Sequence, residues 1–192
     1  MDYHGINQEE QKLDFNMKIG FTGTMSVGKT TLVKALQELP EFKEYYFATE
    51  RSKYLRDLGI PLNTDSTIEG QIIFLAERAS ELLRPRIITD RTIIDVIAFT
   101  NLAKSIPYYM GDEFAQLASN LIRSYDHIFY VSPEGVELED NGVRTIDAEY
   151  RVEVDKEIKK TLEKYSSKIK HWHILYGTPE ERIREIKRVL NL

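Results

Sequence analysis

Apolar residues along the chain form short continuous runs that alternate with longer stretches in which they recur every three or four positions. Short apolar runs are typical of buried β-strands, and the longer period is typical of amphipathic helices. The predicted strands are residues 17–22, 45–49, 86–90, 127–131 and 172–176. The predicted helices are residues 31–39, 50–58, 67–83, 93–102, 112–124, 148–164 and 179–190.

This alternation of strands and helices indicates the fold class. A helix between two strands provides the crossover that parallel pairing requires, so the pattern predicts an α/β fold: a five-stranded, mainly parallel sheet with helices on both faces. Residues 1–16 show neither period, and we expect them to form a flexible N-terminal leader. The predicted domain therefore comprises residues 17–192.

Composition and charge exclude several classes of protein. The 26 basic and 31 acidic side chains give a net charge of -5, which does not favour nucleic acid as a partner, although a local basic groove remains possible. The absence of cysteine excludes disulfide frameworks, thiolate zinc sites and cysteine nucleophiles, and suits a reducing compartment such as the cytoplasm. With no long apolar run and no secretion signal, we expect no membrane association.

The strongest motif is the segment GTMSVGKT at residues 23–30, which fits the pattern G-x-x-x-x-G-K-[ST] between a predicted strand and a predicted helix. Glycines let such a loop turn its backbone N–H groups inward, and the following helix presents its positive end to the same anion. The pattern therefore predicts a nucleotide phosphate site. Its predicted members are Gly23, Thr24, Met25, Ser26, Val27, Gly28, Lys29, Thr30 and Thr31.

Three of the candidate residues carry the predicted chemistry. Lys29 can follow the β- and γ-phosphate oxygens as a catalytic point charge, and Thr30 offers a hydroxyl to Mg²⁺. Asp90 ends the third predicted strand, at the edge of the sheet where ligands bind in open α/β folds. It could hold the metal through water or accept a proton from an attacking hydroxyl, and a helix N-cap is the structural alternative.

Further charged residues follow two of the predicted strands. Asp90 is followed by Arg91 rather than by a second acid, so a water-activating Asp-Glu pair is absent, and Arg91 suits acceptor binding. Asp95 lies on the same predicted helical face as Arg91 and is expected to pair with it. Glu50 is a candidate base and acceptor ligand, and Arg51 a candidate clamp for an anionic acceptor; a solvated helix start is equally compatible with this charge pair.

Residues 137–151 form a polar, turn-rich segment that is a candidate lid. Its arginines, Arg144 and Arg151, are seven residues apart and would share one face of a helix. Arginines that close on a site from a loop can stabilise the charge of phosphoryl transfer and exclude water, which makes both candidate catalytic residues. The alternative is a surface loop whose arginines pair with Glu149 or Asp155.

Taken together, these motifs resemble P-loop kinases of the nucleoside and nucleotide type. The resemblance is greatest to the ribosylnicotinamide kinase domain of NadR-type proteins, in the NadR/Ttd14-like AAA family, over residues 17–192. It is carried by the segments 23–30, 50–51, 90–91, 125–126 and 140–144, together with Arg151. The resemblance implies a P-loop NTPase three-layer sandwich of strand order 2-3-1-4-5, an arginine-bearing lid, ATP and Mg²⁺.

The function that this resemblance implies is transfer of the γ-phosphoryl group to a hydroxyl or phosphate of a small nucleoside- or nucleotide-like acceptor, by a monomer or homodimer. Two alternatives remain open. Some phage kinases of similar build phosphorylate hydroxymethylated bases within DNA, and a regulatory P-loop NTPase would have no small-molecule acceptor. N-K-x-D does not occur in the sequence, and its one D-x-x-G, at residues 2–5, precedes the first predicted strand, which weighs against a GTPase.

Overall fold

The computed structural model describes residues 16–49, 52–135 and 148–192. The predicted leader lies outside the described residues except for Asn16. The strands are β1 (Lys18–Thr22), β2 (Tyr46–Ala48), β3 (Ile87–Asp90), β4 (His127–Val131) and β5 (His171–Leu175). The helices are α1 (Lys29–Gln37), α2 (Ser52–Asp57), α3 (Ile68–Glu81), α4 (Ile93–Leu102), α5 (Tyr108–Ser119), α6 (Ala148–Lys164) and α7 (Pro179–Leu190).

The five strands form one all-parallel sheet of order β2-β3-β1-β4-β5, which confirms the predicted fold class and order. Strand β1 lies in the middle, with Phe21 paired to Asp90 of β3 and Thr22 paired to Tyr130 of β4. Because parallel strands end at the same edge, the loops after β1, β3 and β4 are neighbours. This edge carries the candidate site.

Two apolar clusters cover the two faces of the sheet. On one face, Phe21 and Phe129 stack with their ring centroids 5.4 Å apart and pack with apolar residues of α1 and α7. On the other face, Ile128 and Tyr130 pack with residues of α4, α5 and α6. The result is the expected three-layer arrangement. Among the described residues, no helix combines the length and the apolar character needed to cross a membrane.

Helix α5 begins earlier than the sequence suggests. Residues 105–111 are predicted to be a loop because of Pro107, but the helix starts at Tyr108, with Pro107 in the N-cap position. Proline is compatible with this place because an N–H there would have no helical acceptor. The predicted last turn of the helix is instead a 3₁₀ segment, Asn120–Ser124.

The buried face of α3 also differs from the predicted one. Its periodicity predicts a core stripe of Ile68, Ile72, Leu75, Ala76 and Ala79. In the structure Ile72 is 52% exposed, whereas Gln71 and Arg78 are buried. Ile68 and Leu75 of the predicted stripe do pack against the core. The stripe is therefore correct in part, and the buried face also includes Arg78, which contacts the end of β3.

Candidate active site

The loop between β1 and α1 forms a cradle, defined here as residues 23–30. Gly23 has a φ of 148°, and a Cβ there would lie 2.7 Å from the carbonyl oxygen of Val131. Gly28 has a φ of 85° and occupies the N-cap position of α1. Both positions therefore require glycine, one because of the close approach of β4 and the other because of its left-handed backbone.

Lys29 lies across the cradle rather than in solvent. Its Nζ donates hydrogen bonds to the carbonyl oxygens of Gly23 at 2.6 Å and Thr24 at 2.7 Å, and the residue is 6% exposed. The ammonium charge is thus fixed inside the loop, where the sequence predicts phosphate oxygens to bind. Thr31, the last predicted cradle contact, is exposed in the first turn of α1.

Thr30 and Asp90 come together across the ends of β1 and β3. The Thr30 hydroxyl donates to Asp90 Oδ2 at 2.5 Å. Asp90 is 1% exposed, and its other oxygen, Oδ1, is buried with no hydrogen-bond partner among the described residues. The Thr30 hydroxyl and the Asp90 carboxylate, one of whose oxygens is unsatisfied, are oxygen ligands that fit Mg²⁺. This ion commonly takes one or two protein ligands and completes its shell with water and phosphate.

The backbone after Asp90 makes an unusual turn. Arg91 has a φ of 84°, a conformation that is costly for a residue with a side chain. Arg78 of α3 lies beneath this turn: its Nη1 donates long hydrogen bonds to the carbonyl oxygens of Asp90 at 3.5 Å and Arg91 at 3.4 Å. Arg78 is held in turn by Glu81 at 2.8 Å. The turn directs Arg91 to one side of Asp90.

A pocket lies beside Arg91, and its volume is about 400 Å³ when its open mouth is counted. It is lined by Ser52, Leu62, Asn63, Ser66, Gln71, Phe74, Arg91, Asp95, Val96 and Phe99. The Arg91 guanidinium lies 5.1 Å from the centroid of the Phe99 ring, so these two side chains form adjacent parts of the pocket wall.

Asp95 has a different role from the predicted pairing with Arg91. Its Oδ2 accepts from the Thr92 backbone N–H at 2.7 Å, while Thr92 Oγ1 accepts from the Ile94 N–H at 3.1 Å, so the acid caps α4. Its second oxygen, Oδ1, is buried and has no hydrogen-bond partner among the described residues. Because Asp95 lines the pocket, this oxygen is a candidate acceptor for a ligand there.

The start of α6 contacts the cradle. Thr24 Oγ1 donates to the backbone oxygen of Arg151 at 2.9 Å, which brings this predicted lid arginine next to the cradle. Tyr130 fixes the same helix to β4 by donating to Asp155 at 2.5 Å, and Lys159 pairs with Asp155 at 2.8 Å. Asp155 therefore bonds to Tyr130 and Lys159, and not to Arg151 as in the alternative prediction of a surface loop.

Three predicted site residues, Glu50, Arg51 and Arg144, lie outside the described residues and remain predictions. The structure also reveals candidates that sequence reasoning missed: Gln71, Phe74, Asp95 as an acceptor, and Phe99. A signal for them exists, since Gln71, Phe74 and Arg78 follow helical spacing, and a single acid interrupts the apolar run of α4.

The fold and the cradle together define the class: this is an α/β P-loop NTPase fold. The family model for an AAA domain matches residues 18–182, and the chain belongs to that family. No curated protein sequence matches the chain significantly.

Solved structures show the same fold in proteins of distant sequence. A NadR protein in complex with NR has a TM-score of 0.73 at 19% identity, with 93% of this chain covering 52% of that one. Deoxyadenosine kinase from M. mycoides, with dCMP and dCDP bound, has a TM-score of 0.66 at 18% identity over 91% of this chain and 98% of that one. Thymidylate kinase from Ehrlichia chaffeensis has a TM-score of 0.61 at 18% identity, over 92% and 99% of the two chains.

Proposed function

We propose that this protein is a kinase that transfers the γ-phosphoryl group of ATP, with Mg²⁺, to a hydroxyl group of a small nucleoside-like acceptor. One observation carries the proposal: Asp90 bonds to Thr30 of the cradle, while the next residue, Arg91, lines a separate pocket. A kinase needs two adjacent ligand sites, whereas a nucleotide switch needs one. The kinases among the structural neighbours support the same activity, although their similarity at 18% identity concerns the fold.

Each group of the site has a task in this reaction. Backbone N–H groups of the cradle and the Lys29 ammonium bind the β- and γ-phosphates and offset their charge. Thr30 and Asp90 would hold Mg²⁺, which neutralises phosphate charge when it is bound. On the acceptor side, Arg91 and Asp95 orient a ring or sugar that carries N–H or O–H donors, and Phe74 and Phe99 give that ring apolar walls.

The transfer itself is a displacement at phosphorus. The acceptor oxygen forms a bond to the γ-phosphorus while the bond from that phosphorus to the β–γ bridging oxygen breaks, and ADP leaves. The hydroxyl proton passes to a carboxylate, for which the chain offers Asp90 and, outside the described residues, Glu50. Arg151, and Arg144 of the predicted lid, would stabilise the charge that spreads over the transferring group.

The decisive experiment supplies γ-labelled ATP with a panel of nucleosides, nucleotides and DNA duplexes that carry hydroxymethylated bases. Label on a free nucleoside or nucleotide is the expected result. Label on a duplex would show that the acceptor is a base in DNA. ATP hydrolysis at a rate that no acceptor changes would indicate a regulatory NTPase instead of a kinase.

Lys29→Ala serves as the matched inactive variant. It removes the ammonium from the cradle, so we expect transfer to be lost while the circular dichroism spectrum stays that of a folded protein. Unchanged turnover in this variant would refute the role assigned to the cradle.

A further inference from the structure

Arg182, near the start of α7, is a buried cation that belongs to no motif of the sequence. It is 3% exposed. Its Nη1 donates to the carbonyl oxygen of Val27 at 2.6 Å, and its Nη2 donates to the carbonyl oxygen of Ser132 at 3.1 Å. One acceptor is in the cradle and the other directly follows β4. A single side chain thus connects the last helix, the phosphate loop and the edge of the sheet.

The charge of Arg182 has no acidic counterpart in the described part of the chain, where it forms no ion pair and its Nε is buried without a hydrogen-bond partner. Burial lowers the pKa of Arg182, but a guanidinium remains protonated at neutral pH. Buried charges are normally paired, because removal from water is costly. A buried positive charge behind an anion-binding loop is therefore most favourable when the anion is bound.

The contact with Val27 also determines which way a backbone donor points. The Val27 carbonyl and the Gly28 N–H belong to one planar peptide unit, and the described chain contains no cis peptide bond. In a trans peptide the C=O and N–H bonds point in opposite directions. By binding the carbonyl on the α7 side, Arg182 directs the Gly28 N–H away from α7. A Cβ at Gly28 would lie 3.4 Å from Nη1, so the Arg182 guanidinium lies close to the Gly28 backbone.

We propose that Arg182 is a positioning residue for phosphate binding: it orients the Val27–Gly28 peptide so that the Gly28 N–H donates to a nucleotide phosphate, and its charge strengthens that donor. This inference rests on the proposed function, since it takes the cradle to be a phosphate site. Arg182 itself touches the loop and not the nucleotide. Its effect is therefore confined to phosphate binding and does not extend to the acceptor pocket.

The test compares Arg182→Gln and Arg182→Lys with the unmodified protein. Isothermal titration with ADP and with inorganic tripolyphosphate is expected to show affinities lowered by roughly 10- to 100-fold in Arg182→Gln, the range for loss of a charge-assisted hydrogen bond. Arg182→Lys keeps the charge and should recover part of the loss. In spectra of ¹⁵N-labelled protein, ADP should move the Gly28 amide proton downfield in the unmodified protein and much less in Arg182→Gln.

Arg188→Gln is the matched control, because Arg188 lies on the same helix, is exposed and pairs with Glu185. It should bind ADP like the unmodified protein. A folded Arg182→Gln with unchanged ADP affinity and an unchanged Gly28 shift would overturn the inference while leaving the proposed function intact. Failure of the unmodified protein to bind ADP would instead overturn the proposed function. If Arg182→Gln does not fold, the ADP affinity and the Gly28 amide shift are measured in Arg182→Lys. Lower values than in the unmodified protein support the inference, and unchanged values overturn it.

Discussion

Gly20, in the middle of β1, shows how strictly single positions are packed. A Cβ there would lie 2.5 Å from Thr92 Cγ2 and 2.8 Å from Tyr125 Cε1. Gly111 in α5 is the opposite case, because a Cβ there would meet its nearest neighbour at 3.9 Å. The strand glycine is required by the cap of α4, whereas the helix glycine only adds conformational freedom to the unfolded chain.

We predict opposite effects of alanine at these two positions. Gly20→Ala should lower the free energy of unfolding by roughly 1–3 kcal/mol, because Thr92 or Tyr125 must shift in a close-packed core. Gly111→Ala should raise it by about 0.5–1 kcal/mol, as expected for a glycine in the interior of a helix. Urea unfolding followed by circular dichroism measures both values. Equal stability of the two variants would contradict the packing described for β1.

Asp95 allows a test of acceptor binding at the scale of one oxygen atom. Asp95→Asn keeps the shape and an oxygen for the Thr92 N–H, but it removes the charge that faces the pocket. We expect the KM for the acceptor to rise by roughly 10-fold or more, as for loss of a hydrogen bond to a charged group, while the KM for ATP stays constant. Steady-state kinetics at varied acceptor and ATP separate the two. Glu113→Gln, an exposed acid on α5, is the control.

Single residues also show where sequence reasoning succeeds and where it fails. The cradle is predictable because a short contiguous motif encodes its backbone shape, and Gly23, Lys29 and Thr30 lie where the motif requires them. Arg78 and Arg182 are not predictable from composition, because a charged residue is expected on the surface. Only the tertiary structure shows that Arg78 donates to the carbonyl oxygens of Asp90 and Arg91, and that Arg182 donates to those of Val27 and Ser132.

At the scale of elements, β4 and β5 bring three histidines together on one face. His127 Nδ1 and His173 Nε2 are 3.2 Å apart, and the His127 and His171 rings stack with centroids 5.1 Å apart. Burial lowers the pKa of His127 to about 4, with the nearby His173 and His171 adding to the effect and Asp126 opposing it. Among the described residues, no group of three His, Cys, Asp or Glu side chains is arranged to hold a metal.

The pairing of β4 with β5 should therefore weaken in acid. An unfolded histidine has a pKa of about 6.5, so between pH 6.5 and about 4 the unfolded chain binds a proton that folded His127 does not. Stability is present above pH 6.5 and is lost as the pH falls through this window. His127→Phe keeps a ring but cannot titrate, so we expect its Tm to depend less on pH.

Thermal unfolding at pH 4.5 to 7.5 checks this prediction. Glu41 and Glu185 also make the stability depend on pH, because Lys187 lowers the pKa of Glu41 and Arg188 lowers that of Glu185. Their contribution is the same in His127→Phe and in the unmodified protein, so it cancels when the two Tm curves are compared. Parallel Tm curves for the two proteins across the window would show that His127 is protonated as easily in the fold as in the unfolded chain.

The limits of prediction differ among the elements. The β-strands lie within a residue or two of their predicted bounds, because each is a compact apolar run between polar turns. Helix α3 is harder to predict: Ile68 and Leu75 of its apolar stripe pack on the core, but Ile72 is exposed, and Gln71 and Arg78 are buried. An apolar period assumes a purely apolar interior, and that assumption fails beside the candidate site.

At the scale of the whole molecule, the site depends on parallel topology. Thr30 and Asp90 are 60 residues apart in sequence, and they meet because β1 and β3 are hydrogen-bonded neighbours that end at the same edge. The alternation of elements predicts a parallel sheet, but it does not order the strands. The order came from the resemblance of the motifs to a known family, and the structure confirms it.

Because the candidate site forms only when the whole domain is folded, a nucleotide or metal that binds there should raise the stability of the domain. A ligand present at 100 times its Kd stabilises the folded state by about 2.7 kcal/mol, which for a domain of this size raises the Tm by roughly 5–10 °C. We expect ADP to produce such a shift, and Mg²⁺ to enlarge it, because Thr30 and Asp90 then share the cation with the phosphates. In Asp90→Asn the ADP shift in EDTA should persist while the increment due to Mg²⁺ disappears.

Scanning fluorimetry with ADP in Mg²⁺ and in EDTA separates the two contributions. Asp57→Asn, which changes an exposed acid on α2 that pairs with Arg56, should retain both. An Asp90→Asn variant that kept the full increment would place the cation elsewhere, and the carboxylate would then act on the acceptor alone. Loss of the ADP shift even in EDTA would mean that Asp90 supports the cradle itself. The size of the two shifts therefore assigns Asp90 to the metal, the acceptor or the loop.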